Sequence, residues 1–428
     1  MRNDDRTHGL WERTAPAAPE TPALSEEIEV DVAVVGGGYA GLSSALRLAE
    51  AGVGVALIEA EEIGFGGAGR NVGLVNAGLW IRPDEVVQTL GPEHGGRLLT
   101  LLGEAPQQVF ALIERFGIPC EAQRAGTLHC AVGEAGLREL ESRALQWRKL
   151  GAPVELLDAE ATAAKTGSRA FSASLLDKRA GTIQPLAYAR GVARAALQSG
   201  ARIFTQSKVE RAARGGGGRW TLSTRQGSVT ADWVIVATDA YSTGPWQQLR
   251  AEQVHLPYFN FATPPLPADL VPAILPERQG AWDTREILSS FRLDAAGRLV
   301  FGSVGALEGG GAAIHRAWAG RALRRLFPQL GEIGFEAEWY GMIGMTADYV
   351  PRFHHLGDRV ICFSGYNGRG IAPGTVFGGL LARVVLSPGA EADLPIPPSP
   401  VSLPRFRSAK EIFYRAGAQL AHLAGYRF

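Results

Sequence analysis

The sequence predicts an α/β protein whose N-terminal part carries a Rossmann-like nucleotide-binding unit. Three observations carry this reading. Residues 30–35 form a short apolar, β-branched run; Gly36, Gly38 and Gly41 follow it in GxGxxG spacing; and a second apolar run, 53–58, closes on Glu59. Strand, glycine turn, helix, strand and acidic residue fall within about thirty residues, the context in which such a glycine pattern signifies dinucleotide binding.

Each part has a physical task. An apolar run such as 30–35 suits a parallel strand buried on both faces. Gly36 permits the tight turn, Gly38 lets the backbone approach a pyrophosphate, and Gly41 lets helix and strand pack closely. Tyr39 and Ala40 open an Ala- and Leu-rich helix whose free N–H groups and positive dipole end suit phosphates. Glu59, followed by Ala60, is placed to accept hydrogen bonds from ribose hydroxyls and to repel a 2′-phosphate, which disfavours NADP. These residues leave FAD and NAD both open.

Directly afterwards comes "GFGGAGRNVGLVNAG", residues 64–78, with six glycines in fifteen positions. It contains another GxGxxG match, but no strand leads into it, so it fails as a second nucleotide fold.

Further elements follow along the chain. "LLGEAPQQVFALIERFGI" and "GEAGLRELESRALQWRKLG" show helical periodicity. Pro185 starts a helix that leads into a strand near 202–204, and "RGGGGR" reads as a hairpin loop because glycine tolerates positive φ there. "HLPYFNFATPPLP" has the prolines of an edge strand running into a polyproline loop, and "AGRLVFGSVG" reads as a strand. His354 and His355 are read as loop residues with a surface or structural role. Residues 360–363 form an apolar strand that runs into a glycine-rich turn and a helix. The tail, residues 402–428, suggests a basic amphipathic helix that docks on the protein's own surface or on a partner in a homodimer.

Bulk properties restrict the function. A chain of 428 residues has room for two or three domains. Its 43 basic and 43 acidic residues leave no basic excess, which argues against a nucleic-acid partner. Cys120, Cys130 and Cys362 are too few and too irregularly spaced for a disulfide framework or a structural zinc site, so no metal is expected. They fit free or buried thiols in a reducing cytosol. The N-terminal residues have no apolar signal core, and no run approaches the roughly eighteen residues of a membrane span. The expectation is a cytoplasmic protein without a transmembrane segment.

The order GGGYAG, Glu59, "GFGGAGRNVGLVNAG", preceded by Trp11 and a Pro-rich stretch, resembles the FAD-dependent amine and amino-acid oxidoreductases of the D-amino-acid oxidase and sarcosine oxidase superfamily. Within it the likeness is strongest to γ-glutamylputrescine oxidoreductase-like enzymes. The resemblance implies FAD as cofactor and a two-domain fold: a Rossmann-like FAD-binding domain with a discontinuous substrate domain built on a mixed or antiparallel sheet. The FAD domain would comprise residues 29–100, 160–243 and 337–386. The substrate domain would comprise 101–159 and 244–336, with 1–28 as lead-in and 387–428 as tail.

In such enzymes the glycine-rich stretch runs along the inner part of FAD, which makes Gly67, Ala68, Gly69, Arg70, Asn71, Val72, Gly73 and Leu74 cofactor candidates. Glycines there would keep side chains away from the flavin. Val209, Ala237 and Thr238 border the cofactor by the same resemblance, although Val209 also reads as plain core. Gly365, Asn367, Gly368, Arg369, Gly370, Ile371 and Ala372 would lie beside the flavin ring, and Arg369 reads equally as a surface cation. Tyr258, Phe291, Arg292, Trp339, Tyr349 and Arg352 are the substrate-pocket candidates: aromatics can enclose an ammonium, and an arginine can grip a carboxylate.

Two departures from the resemblance matter. Gly341 stands where sarcosine oxidases attach the flavin to a cysteine, and no histidine replaces Asn71, so FAD is expected to be noncovalent. Val300 stands where those enzymes carry an oxygen-activating lysine, which leaves oxygen or another carrier open as electron acceptor. The expected reaction is oxidation of a CH–N bond in an amine, an N-substituted amino acid or an imino acid, with no catalytic base identified. The alternatives are a pyridine-nucleotide-dependent flavoprotein reductase and a flavin-binding assembly protein without turnover.

Overall fold

The first apolar run extends to the strand Glu27–Val35 in the computed structural model, which describes residues 8–425. This strand lies at the centre of a sheet, parallel to Val55–Ile58 on one side and to Ser228–Val236 on the other. Arg202–Phe204 and Val360–Ser364 add parallel strands at the two flanks, and Arg352–Gly357 closes one edge antiparallel. Val32, Ala33 and Val34 are wholly buried, as expected for strands covered on both faces. The tetraglycine run turns the hairpin between Arg211–Arg214 and Trp220–Ser223.

Three helices, Tyr39–Glu50, Pro185–Gln198 and Ile371–Leu386, pack together beside this sheet. The closeness of the first and third has a steric cause. A Cβ at Gly378 would sit 2.4 Å from the Ala40 carbonyl oxygen and 2.7 Å from Ser43 Cβ, so only glycine allows the helices this near. That approach brings their N-termini side by side.

A second sheet runs in the order Ala337–Met345, Val254–Pro265, Arg298–Val304, Ser289–Leu293, Gly280–Asp283, Thr127–Ala131, Ala173–Asp177 and Val154–Leu157. All its pairs are antiparallel except Gly280–Asp283 with Thr127–Ala131. Two strands expected with the nucleotide unit, Ala173–Asp177 and Ala337–Met345, hydrogen-bond into this second sheet instead.

The expected edge strand is also corrected. Val254–Pro265 is an interior strand, paired on both sides. Its prolines are tolerated because Pro257 lies one residue beyond the last pair with Arg298–Val304, and Pro265 lies past a shift in register. The predicted helices appear within Pro83–Arg115 and as Gly133–Lys149.

The tail folds as the helix Arg407–Ala424, whose Ala418 and His422 are buried against the chain's own surface. Residues 1–7 of the lead-in and 426–428 of the tail lie outside the described residues. Among the described residues no helix is long and apolar enough to cross a membrane.

Candidate cofactor and substrate site

A cavity of about 490 Å³ joins the glycine turn of the first sheet to one face of the second. Its nucleotide end follows from local sequence. Gly36 takes a φ of 112°, a conformation that favours glycine. The helix Tyr39–Glu50 begins at Gly38 with no side-chain cap, so its first N–H groups have no intrahelical partner and face the cavity wall that Gly38, Tyr39 and Ala40 form. Gly41 is not part of the wall. A Cβ on it would sit 2.0 Å from the Gly36 carbonyl oxygen, so it serves the close packing of turn and helix.

Glu59 ends the second strand and faces the cavity beside Ala60. One carboxylate oxygen accepts the Gly37 N–H at 2.5 Å and the other the Glu61 N–H at 2.9 Å. Burial pushes its carboxyl upward, against the pull of those donors. Val209, Ala237 and Thr238 also line the cavity, and Val209 is at once core and wall.

The stretch 64–78 divides its glycines between two tasks. Gly67, Ala68, Arg70, Asn71, Val72 and Leu74 line the cavity, but Gly69 and Gly73 do not. A Cβ on Gly69 would lie 2.4 Å from the Gly64 carbonyl oxygen, and one on Gly73 would lie 2.1 Å from that of Ile183. Those two glycines permit chain-to-chain approach rather than clearing space for a ligand.

Asn71 ties the stretch together. Its amide donates to Gly67 O, Ala68 O and Tyr39 Oη at 2.9–3.1 Å and accepts the Gly73 N–H at 2.8 Å, while Trp11 Nε1 donates to its carbonyl at 2.9 Å. The lead-in tryptophan therefore braces the site from behind.

Asn367, Gly368, Arg369, Gly370 and Ile371 line the cavity where the helix Ile371–Leu386 starts, again without a side-chain cap. Gly365 and Ala372 lie behind the wall: Gly365 donates its N–H to Asp239 at 2.7 Å, and Ala372 packs into the core. Arg369 is only 8% exposed, which overturns its reading as a surface cation.

Of the six substrate candidates, Tyr258 lines the cavity, its hydroxyl 2.7 Å from Ser290 Oγ. The other five do not, each for a traceable reason. Ser290 faces the cavity, so the strand's two-residue alternation turns Phe291 to the opposite face, against Phe171 and Phe327. Arg292 is buried behind the wall, donating to Ile183 O, 3.7 Å from Glu121 and over the Trp11 ring. Trp339 is wholly buried, with Nε1 donating to Arg70 O at 3.0 Å. Tyr349 is 40% exposed in the turn after Ala337–Met345. Arg352 forks onto Asp348 at 2.8 Å on the edge strand of the first sheet.

His354 and His355 are likewise strand residues rather than loop residues, and both have partners. His354 lies 2.8 Å from Glu252 and His355 2.8 Å from Glu391. Cys120, Cys130 and Cys362 are buried, and none of them lines the cavity. His8, Glu12 and Glu62 bring ligand atoms within 4.8 Å of one another, but Arg190 grips both oxygens of Glu12 at 2.7 and 2.9 Å.

Sequence reasoning missed Asn76, Trp80, Asp239, Tyr366, Trp282 and Ser290, all of which line the cavity. The first four lie inside, or within two residues of, stretches already singled out, so extending those stretches finds them. Trp282 and Ser290 arrive from neighbouring strands of the second sheet and carry no local signal.

Comparison with known proteins adds to this geometry. The sequence model of the DAO family, described as FAD dependent oxidoreductase, matches residues 31–384. The chain is 33% identical over 387 residues to the gamma-glutamylputrescine oxidoreductase of Escherichia coli (strain K12), covering 89% of each chain. It is 30% identical over 410 residues to the probable oxidoreductase OrdL of Rhizobium meliloti (strain 1021), covering 94% of each. Its fold superposes on the glycine oxidase of Geobacillus kaustophilus with a TM-score of 0.69 at 20% identity, over 88% of this chain and 99% of that one.

Proposed function

Because the chain belongs to the DAO family of FAD-dependent oxidoreductases, we propose that it oxidises a CH–N bond of an amine, an N-substituted amino acid or an imino acid, giving an imine that water hydrolyses. The observation that carries this reading is the single cavity joining two uncapped helix N-termini to a wall of the second sheet formed by Tyr258, Trp282 and Ser290.

The residues present fit FAD. The N-terminus at Gly38 offers unpaired N–H groups and a positive dipole to a pyrophosphate. Glu59 sets a carboxylate at the end of the second strand, where it would accept ribose hydroxyls and repel a 2′-phosphate. The second N-terminus, at Gly370 and Ile371, also sets its positive end at the cavity wall. When bound, FAD supplies the acceptor for a hydride from the carbon beside nitrogen. The buried cysteines, and the glycine at 341 in the wall, support a noncovalent site.

Tyr258, Trp282 and Ser290 in the cavity wall are the side chains that would orient the substrate. Burial raises Tyr258 and Tyr366 above the ordinary tyrosine value, so both stay neutral. Tyr258 is held by Ser290, and the Asp239 carboxylate already accepts from Gly365 N–H and from Gln253 at 2.8 Å.

The test is anaerobic mixing of purified holoenzyme with amines, N-methyl amino acids and imino acids, followed by the oxidised-flavin absorbance band. Bleaching by members of this panel is expected, and re-oxidation with and without oxygen then identifies the acceptor. Bleaching by NADH alone, or by nothing in the panel, overturns the proposal. Flavin that stays with acid-precipitated protein overturns noncovalent binding.

A further inference from the structure

The tail helix Arg407–Ala424 packs on the strand Val254–Pro265 and the helix Gly311–Leu326 with its polar side inward. Glu411 accepts the His255 N–H at 3.0 Å, and Arg407 Nε donates to Gln253 O at 2.9 Å. Further along, His422 lies 2.8 Å from His315 and stacks on Trp318 with ring centroids 3.8 Å apart, and Ala418 is buried beside it. Glu411, Ala418 and His422 recur at i, i+7 and i+11, so they mark one face of the helix as the docked one.

The opposite face is apolar and uncovered. Phe406, Ala409, Phe413, Ala416 and Leu420 recur at i, i+3, i+7, i+10 and i+14, half a turn away from the docked face. All five are exposed, Phe406 at 81%, Phe413 at 69% and Leu420 at 67%, and Ile412 beside them is 68% exposed. Phe406 starts the stripe at a φ of 55°, a conformation uncommon for a bulky side chain, with its ring held in solvent. A single exposed leucine needs no explanation, but a continuous apolar stripe marks an interaction face.

Charge identifies what covers it. The whole chain is balanced, with 43 basic and 43 acidic residues. Residues 402–425 instead hold four Arg or Lys residues against one acid, Glu411, which is spent on His255 and Arg407. Lys410 borders the stripe and Arg405 precedes it; both are exposed, with no carboxylate within 4.0 Å among the described residues. The neighbouring helix Gly311–Leu326 carries four arginines and no acid, and its Arg324 and Arg325 are exposed. A second copy docked about a two-fold axis would set this acid-free face against itself, covering the stripe but offering the cations no counter-charge. An anionic lipid surface supplies both hydrocarbon for the stripe and phosphates for the cations.

We propose that the tail helix anchors the enzyme on an anionic lipid bilayer, lying in its surface with Phe406, Phe413 and Leu420 in the acyl boundary and Arg405 and Lys410 at the phosphates. The polar side stays on the enzyme, so the helix binds without leaving its place in the fold. The inference goes beyond the proposed CH–N oxidation and does not depend on it.

The test floats holoenzyme on a density gradient with vesicles of phosphatidylcholine alone or of phosphatidylcholine mixed with phosphatidylglycerol. The mixed vesicles are expected to hold it at least about tenfold more tightly, and added salt to weaken that binding. Phe406→Ser with Phe413→Ser should lower binding to mixed vesicles at least about tenfold, with parental Tm and FAD content because both rings face solvent. Arg405→Glu with Lys410→Glu should remove the preference for mixed vesicles. Leu145→Ser, at an exposed leucine of Gly133–Lys149, is the control and should change nothing. The native cysteines are buried, so Leu420→Cys takes a polarity-sensitive thiol label at one place, and its emission should shift to the blue on mixed vesicles.

No binding of the parent to mixed vesicles, equal binding to both kinds, or an unshifted label on bound protein overturns the anchor. Sedimentation velocity reads the rival occupant: a parent dimer that the two serines convert to monomer, without vesicle binding, gives the stripe to a second copy and overturns the anchor as well. The lipid comparison in the parent and the label decide the matter if the double variant does not fold.

Discussion

Gly41→Ala isolates the steric basis of the cofactor site without touching its wall. The added Cβ would sit 2.0 Å from the Gly36 carbonyl oxygen and 3.3 Å from Ala237 Cβ, whereas real Cβ atoms essentially never come closer than 3.0 Å. The turn and the helix Tyr39–Glu50 must therefore separate by about 1 Å, and the helix cannot retreat far because Gly378 holds Ala40 and Ser43 in close contact from behind. Overpacking of this kind costs about 1–3 kcal/mol. A misplacement of about 1 Å in groups that bind a ligand costs up to about 100-fold. The expectation is a 10- to 100-fold weaker FAD Kd, read by calorimetric titration of apoprotein, with a lower Tm in the unliganded state. Gly379→Ala is the control: nothing lies within 4 Å of its added Cβ, so it should be neutral or stabilising by up to about 1 kcal/mol. Gly41→Ala with parental FAD affinity and Tm would refute the packing argument.

Other perturbations probe different parts of the same structure. Asn71→Leu removes the amide that binds Gly67, Ala68, Tyr39 and Gly73, so it should lower Tm and release FAD on gel filtration; parental retention and Tm would show that the knot is dispensable. Glu59→Gln keeps shape but removes charge, and should weaken FAD about tenfold while admitting a 2′-phosphorylated dinucleotide more readily, read by competition binding.

The buried pair His315 and His422, Nδ1 to Nδ1 at 2.8 Å, predicts an acid sensitivity of the tail helix. Burial pulls His315 to about 4 and His422 to about 3, whereas an unfolded histidine titrates near 6.5. The unfolded chain therefore binds more protons between those values, so this contribution is intact above pH 6.5 and is lost progressively as pH falls towards 3. His422→Phe, which retains a ring over Trp318, should flatten the fall in Tm between about pH 7 and 4; an unchanged slope would remove the pair from the account.

The comparison of sequence with structure turns on how far each signal reaches along the chain. The glycine turn, its helix, Glu59 and the turn at 365–371 are local patterns, in which backbone conformation and helix dipole act within a few residues. Their positions on the cavity were therefore legible from spacing and from resemblance. Even so, Gly41, Gly69 and Gly73 are glycines for chain-to-chain contacts, which only the neighbouring carbonyls of Gly36, Gly64 and Ile183 reveal.

The second sheet was less legible because a strand's identity says nothing of its neighbours. Val254–Pro265 carries the prolines of an edge yet pairs on both sides, and Phe291 was one residue out of phase with Ser290, enough to reverse its face. Arg369 shows the division most clearly. Its residue type and its place beside a helix start were plain in the chain, but its loss of solvent and of any counter-ion was not. By itself the sequence determined the nucleotide unit, because that unit is built from contiguous residues. Tertiary structure alone decided the cavity wall proposed to meet the substrate, because Trp80, Trp282, Ser290 and Arg369 come together only when two sheets close over one cavity.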